Sequence, residues 1–403
     1  MPAYVRSSQI TLRSLWSNYL FWGAILLCQH SFAQPINLTL QVDLPESTPA
    51  NEPLFVAGNF NNWQPDNRAY KLERVNDSVA GITIKLPGAD AYEFKITRGG
   101  WASAQCARSG ADVENYRVRV WHDTIIRIRP EAWRDKTPPL PLVSSKSPQV
   151  SCLHPQFYMP QLNRFRSVWI YLPPDYTTSQ KHYPVLYMHD AQNLFDRTRN
   201  GFGEWGVDES LDSIILAGGP ACIVVAVDHG GAHRLSEYSP FDFSLNGQLG
   251  VTGLIHGEGN AYVDFLVHTL KPYIDSAYRT MREPQNTFIA GSSMGGLISF
   301  YALSCYPQVF SKAGVFSPAF WTVRDSVTAY VKRRSSNIRG ALFFSAGGLE
   351  GKRYADDMIH VSTLLRSTHN NVMQHTEVIP WGAHHESFWH NRFPAFYLWL
   401  FGK

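Results

Sequence analysis

Two serines stand side by side among glycines in "NTFIAGSSMGGLISF", residues 286–300. A serine hydroxyl is a weak nucleophile at neutral pH and needs a neighbouring base to take its proton. Of the two, only Ser293 sits at the centre of a Gly-x-Ser-x-Gly spacing, Gly291-Ser292-Ser293-Met294-Gly295. That spacing belongs to a sharp strand-to-helix turn, with glycines where side chains would collide. The flanking residues agree: the apolar run from Thr287 to Ala290 stops at Gly291, and Leu297, Phe300 and Tyr301 then recur at helical spacing until Pro307. At the start of a helix, Ser293 also meets the positive end of the helix dipole, which favours developing negative charge.

An acid and a histidine should follow the serine in that order. Glu350 comes directly after the apolar run "ALFFSAGG", at the carboxyl end of a predicted strand, where α/β sheets carry functional groups. Asp356 and Asp357 lie a little further on, and Glu350 can also be read as a solvated loop carboxylate. "WGAHHESFW" offers His384 and His385 in a loop after another predicted strand, and spacing alone does not separate them. The histidine would take the serine proton, and the acid would orient the ring. Two backbone donors must hold the oxyanion. One is the N–H of Met294; the other is expected from "YMHDAQNLFD", around Ala191 and Gln192. His189 and Asp190 in that segment read as structural strand-end residues. His229 and His233 lie in the glycine-containing loop "DHGGAH", which lacks the helical geometry of a metal-binding pair. No Gly-rich phosphate loop ending in Lys-Ser/Thr occurs, and the serine chemistry calls for no metal or cofactor.

These residues need a scaffold. The composition, 44% hydrophobic and 17% charged, is that of an ordinary globular protein. From about residue 151, apolar strands alternate with helical patterns such as "AYVDFLVHTLKPYID". That alternation predicts an α/β domain over 151–403, with a largely parallel sheet covered on both faces. Residues 34–130 carry short alternating runs, among them "INLTLQVDL", "VAGITIKL" and "AYEFKIT", which predict a small all-β sandwich. Between the two, 131–150 includes "DKTPPLPLVSSKSPQ" and reads as an extended linker outside any core.

Residues 1–33 read as a secretory signal peptide: Arg6 and Arg13, an apolar stretch to Cys28, then Ser31-Phe32-Ala33 before the cut. The apolar core is short for a membrane span, so the mature chain is expected to be secreted or periplasmic. Losing Arg6 and Arg13 lowers the formal charge from +3 to +1, which leaves no electrostatic footprint for nucleic acid. The remaining Cys106, Cys152, Cys222 and Cys305 lack metal-ligand spacing. Cys222 and Cys305 read as buried free thiols, while Cys106 and Cys152 are the candidates for pairing in an oxidising compartment.

"YPVLYMHDAQNLFD", "EYSP", "LKPYIDSAYRT", "AGSSMGGLISFYALSCYPQVF", "FSPAFW" and "HHESFWHNRFPAFYLWLF" together resemble the esterase family of α/β-hydrolases. That group includes enterobactin esterases, feruloyl and acetyl-xylan esterases and the esterase D type, and the likeness spans 151–403. It implies Ser293 as nucleophile and His384 as base, because Gly-Ala-His stands where the family has Gly-Gly-His. Glu350 in "GGLEG" matches a Glu found there in many members. Ala191 departs from the family's His-Asp-Gly loop. The front segments "LFVAGNFNNWQP", "YEFKITRGGW" and "NYRVRV" resemble the immunoglobulin-like, early-set sandwich of starch- and glycogen-binding modules. Trp63, Lys95 and Trp101 match positions that touch sugar there, or they fill the sandwich core or its interface with the hydrolase domain. The expectation is a secreted serine carboxylesterase acting on acyl or feruloyl esters of carbohydrate, small or polymeric. Siderophore esters are the alternative substrate, acyl transfer to an alcohol is an alternative outcome, and a non-catalytic carbohydrate-binding protein is the alternative class. Specificity is expected from the loops "DRTRNGFGEWGVDE" and "LNGQLGVTGLIHGEG".

Overall fold

A computed structural model describes residues 35–137, 143–199, 203–245, 251–334, 337–368 and 372–402. The segment 1–33 expected to be a signal peptide, the middle of the expected linker and parts of both loops expected to set specificity lie outside the described residues.

The front unit is all-β, with β1 (Ile36–Asp43), β2 (Leu54–Gly58), β3 (Lys71–Asn76), β4 (Val79–Leu86), β5 (Asp90–Thr97), β6 (Gln105–Cys106), β7 (Tyr116–Val120), β8 (Thr124–Ile128) and β9 (Ala132–Trp133). Seven of these run in the order β7-β5-β2-β3-β4-β1-β8. Strand β3 pairs on both sides, Leu72 with Leu54 of β2 and Glu73 with Gly81 of β4. Alternate residues of strands from both ends of this order then share one core: Leu38, Leu40 and Val42 from β1 meet Val56 of β2 and Phe94 and Ile96 of β5.

The remaining pair corrects the linker boundary. Gln105 of β6 pairs with Trp133 of β9, and Trp133 is fully buried in the front core. Its indole N–H donates to Thr48 Oγ1 at 2.8 Å, and the Arg98 guanidinium lies 5.4 Å over its ring. The front unit therefore continues past residue 130. The other end of the supposed linker is fastened too. Ser144 Oγ donates to Asp196, Ser145 Oγ to Glu204 and the Ser147 N–H to Asp208, each at 2.7 Å. Two serine hydroxyls and one backbone N–H of the supposed linker thus satisfy carboxylates of the second unit.

That second unit contains β10 (Val150–Met159), β11 (Arg164–Tyr171), β12 (Val185–His189), β13 (Ile223–Val227), β14 (Phe243–Ser244), β15 (Leu254–Ile255), β16 (Thr287–Ser292), β17 (Lys312–Phe316), β18 (Gly340–Gly347) and β19 (Val372–Ile379). Its helices are α1 (Val207–Leu216), α2 (Arg234–Glu237), α3 (Gly259–Phe265), α4 (Lys271–Ala277), α5 (Met294–Cys305), α6 (Arg324–Arg334), α7 (Lys352–Ser367) and α8 (Glu386–Leu400). The main sheet runs β10-β11-β13-β12-β16-β17-β18-β19. It is antiparallel through β10, β11 and β13, then parallel to the end.

The side-chain period of two sorts each strand between two cores. Ile223, Val225 and Val227 of β13 join Ile289 of β16, with Tyr262 and Phe265 of α3 and Leu297 and Phe300 of α5. Val224 and Ala226 point to the other face with Phe288 and Ala290, against Leu211 of α1 and Phe393 and Phe396 of α8. Parallel strands buried on both faces read as the unbroken apolar runs seen in the sequence.

Among the described residues the four cysteines are free: Cys106 is buried in the front unit and Cys152 is exposed on β10. The candidate disulfide therefore does not form in this structure, its two members lying on different units. Cys222 is buried, while Cys305 is only partly so. Among the described residues no helix is long and apolar enough to cross a membrane.

Replacing Trp133 by Ala should lower the unfolding free energy by about 3–5 kcal/mol, as for other buried tryptophans. Urea melts check this; a solvated linker residue would change it by less than about 0.5 kcal/mol.

Candidate active site

The sharp turn expected at the serine is present. Strand β16 ends at Ser292, helix α5 begins at Met294, and Ser293 between them holds φ 58° and ψ −120°. A non-glycine residue in that region carries roughly 1–3 kcal/mol of strain and persists only where its surroundings fix it. Here the Ser293 N–H donates to Phe316 O at 2.9 Å, and its carbonyl accepts from Ala319 N at 2.9 Å and Leu297 N at 3.1 Å. The flanking glycines are required by close approach. A Cβ on Gly291 would stand 2.9 Å from the Gly295 carbonyl, and one on Gly296 would stand 2.8 Å from Phe316 O.

His384 lies in the loop between β19 and α8, with its Nδ1 3.4 Å from Glu350 Oε2. Its ring packs 4.4 Å from Tyr354 and edge-on to Trp389 at 5.1 Å. Glu350 is no solvated loop carboxylate, since its side chain is fully buried. Its Oε1 accepts from Ser317 Oγ at 2.6 Å and from the Gly347 N–H at 2.9 Å, leaving Oε2 toward the histidine. Ser317 in turn accepts from Trp389 Nε1 at 2.9 Å, so the acid and the histidine loop are braced by one chain of hydrogen bonds. The competing Asp357 is engaged by Arg324 at 3.0 Å, and Asp356 is exposed. His385 lines the same cavity but has other partners: it caps α8 by accepting from the Ser387 N–H, and it lies 3.9 Å from Glu114 of the front unit. Burial lowers its pKa, and Glu114 only partly offsets that.

After β12 the chain turns through Asp190, at φ 58°, into a single 3-10 turn, Ala191–Asn193. Asp190 is buried and bound by Arg234 of α2 through two hydrogen bonds of 2.8 Å. Burial would raise its pKa, but the guanidinium outweighs that and holds the carboxyl below its usual range. His189 is buried against Tyr262, whose hydroxyl lies 2.9 Å from Nδ1; burial depresses its pKa to about 4. Both therefore act in the packing of this turn. Ala191 is fully buried. Gln192 faces the cavity, and its Oε1 accepts from the His229 N–H at 3.1 Å.

Ser293, His384, Gln192 and Asn193 line one cavity of about 1100 Å³. Trp63, Lys95 and Trp101 of the front unit line the same cavity, with the two indoles 6.3 Å apart and tilted by 42°. Of the readings given to these three residues, the structure places them at the interface with the hydrolase domain, in the wall of its cavity. The sequence reading did not identify the other front-unit wall residues Asp112, Glu114 and Arg134, nor Glu386 beside the histidine. "HHESFW" held the signal for Glu386: a carboxylate two residues past the histidine in an otherwise aromatic segment.

The strand order and the serine turn between β16 and α5 are those of α/β-hydrolase-type enzymes. Residues 160–400 match the family described as Putative esterase; the chain belongs to it and is a hydrolase acting on ester bonds. The alternative of a non-catalytic binding protein falls with that membership. Uncharacterized protein YbbA of Bacillus subtilis (strain 168) is 27% identical over 247 residues, which is 59% of this chain and 93% of that protein. An alpha-amylase of Niallia circulans is 44% identical over 82 residues, 20% of this chain and 6% of the amylase. The crystal structure of the enterobactin esterase Fes from Shigella flexneri superposes with a TM-score of 0.53 at 15% identity, covering 89% of this chain and 90% of that one. That likeness is one of fold, and its coverage extends across both units.

Asp190→Asn should destabilise the protein at pH 7 by roughly 2–4 kcal/mol, because the largely buried Arg234 loses its counter-charge. The carboxylate's contribution is complete above the ordinary Asp pKa of about 3.9 and disappears as pH falls through its lowered native value. Thermal melts of both proteins should therefore converge between pH 5 and strongly acidic conditions.

Proposed function

We propose that this esterase works through Ser293, His384 and Glu350, and that the front unit binds the part of the substrate beyond the scissile bond. The observation that carries the reading is the strained serine sharing a cavity with a histidine whose Nδ1 faces a buried, doubly hydrogen-bonded glutamate. With Nδ1 committed to Glu350, the His384 Nε2 takes the Ser293 proton as Oγ bonds to the ester carbonyl carbon. The carbonyl electron pair moves onto oxygen, where the Met294 N–H and a donor from the Ala191–Gln192 segment hold it. Collapse expels the alcohol, which takes the proton back from His384. Water, deprotonated by the same nitrogen, then releases the acid from the serine ester.

For the substrate, we infer an acyl or feruloyl ester on carbohydrate. Trp63 and Trp101 offer aromatic faces on which sugar or phenolic rings stack, and Lys95 offers a donor to hydroxyls. The shared 82 residues with an alpha-amylase support a polysaccharide context. A siderophore ester is the second reading, favoured by the fold likeness to an enterobactin esterase across both units. Secretion or export to the periplasm is part of the proposal. Expression of the full chain with fractionation of medium, periplasm and cytoplasm tests it.

Ser293→Ala should reduce kcat on an aryl ester by at least about 10⁴-fold with the fold intact. Glu350→Gln, which leaves the shape but no longer fixes the imidazole tautomer, should cost roughly 10²–10⁴-fold in kcat. Retained turnover in the serine variant would overturn the assignment. Comparing kcat/KM on feruloylated arabinose oligosaccharides and on a catecholate trilactone decides between the two substrates.

A further inference from the structure

Glu386 has no part in the chemistry just described, yet it is buried in the wall of the same cavity, two residues beyond His384. It opens helix α8, and its Oε1 accepts from Asn193 Nδ2 at 2.9 Å. Asn193 is the last residue of the turn Ala191–Asn193. That turn is pinned by two further bonds through Asn193: its N–H donates to Asp190 O at 2.8 Å, and its carbonyl accepts from the Trp205 N–H at 2.8 Å. One side chain thus links the loop after β12 to the loop after β19, strands that are not neighbours in the sheet.

We propose that Glu386 is a positioning residue: through Asn193 it holds the oxyanion-side turn at a fixed distance from the loop that carries His384. The inference rests on the triad reading above. An oxyanion donor acts only when aimed at where charge develops, and a displacement of about 1 Å is enough to cost roughly 10²-fold in rate.

The protonation state fits that task. The charged groups around Glu386 are Asp190 on the turn, Arg234 on α2, His384 and His385 on its own loop, and Glu114 across the cavity. Burial is the largest influence and pushes its carboxyl up to about 7, so a large share of it is neutral at neutral pH. A neutral acceptor of the Asn193 amide is what a glutamine side chain reproduces. An aspartate keeps the acid but loses one methylene of reach.

The test uses the full mature protein and steady-state kinetics on an aryl ester at pH 7. Glu386→Ala and Glu386→Asp should each lower kcat by roughly 10- to 100-fold with KM within about twofold. Glu386→Gln should stay within about threefold of the wild type. Asn193→Ala should lose a similar factor, and the Ala/Ala double variant should be no slower than the slower single variant, since one interaction is being removed twice. Wild-type kcat in Glu386→Ala overturns the proposal, as does a Gln variant as slow as the Ala variant. Additive losses in the double variant also overturn it. Should Glu386→Ala fail to fold, the Gln and Asn193 variants still decide. Failure of the triad reading itself shows separately, as turnover that survives Ser293→Ala.

Discussion

Ser293 occupies a backbone conformation that L residues avoid, and much of the second unit can be understood as what it takes to keep it there. The serine is gripped by the end of β17 and the segment that follows it, with Phe316 accepting its N–H and Ala319 donating to its carbonyl. Gly291 and Gly296 are the places where any side chain would break that grip. Because α5 is buried almost all round, the turn cannot relax by shifting the helix without opening a core. The strain is therefore offset by packing far from the cavity, and the hydroxyl stays in one place.

The same economy recurs around the histidine. Trp389, Ser317, Glu350 and His384 form one connected chain, anchored at Trp389 within α8 and at Ser317 directly after β17. Several charges in the cavity wall are matched: Asp112 with Lys95 and Arg134, Asp228 with Arg199, Asp190 with Arg234. Such matching fixes the positions of these side chains in the wall. Nine of the 22 residues that line this cavity come from the front unit. Ser387 at the start of α8 donates to Glu114 at 2.8 Å, and Arg119 bonds the Gly348 carbonyl beside the Glu350 loop. The front unit thus bears on the segments that hold both Glu350 and His384.

How much of this could be read in the sequence depended on how local each feature is. The serine turn is written in five consecutive residues, because glycine spacing and a strand-to-helix switch are local properties. Choosing His384 over His385, or Glu350 over Asp356 and Asp357, needed the family resemblance; what separates them is burial and direction, which come from tertiary contacts. Strand β10 was not apparent because bulges between Cys152 and Phe157 break its alternation, and β17 is only five residues with a glycine in the middle. Trp133 looked like the edge of a linker, since its burial depends on pairing with Gln105 far back in the chain. The shared cavity itself is a property of two units meeting, and no single segment announces it.

The most direct measurement is mass-spectrometric mapping of the adduct formed when the purified mature protein reacts with a fluorophosphonate. The account predicts a single stoichiometric adduct on the peptide containing Ser293, absent from the Ser293→Ala variant although that variant remains folded. An adduct on Ser292, or a folded wild type that does not react, would contradict it.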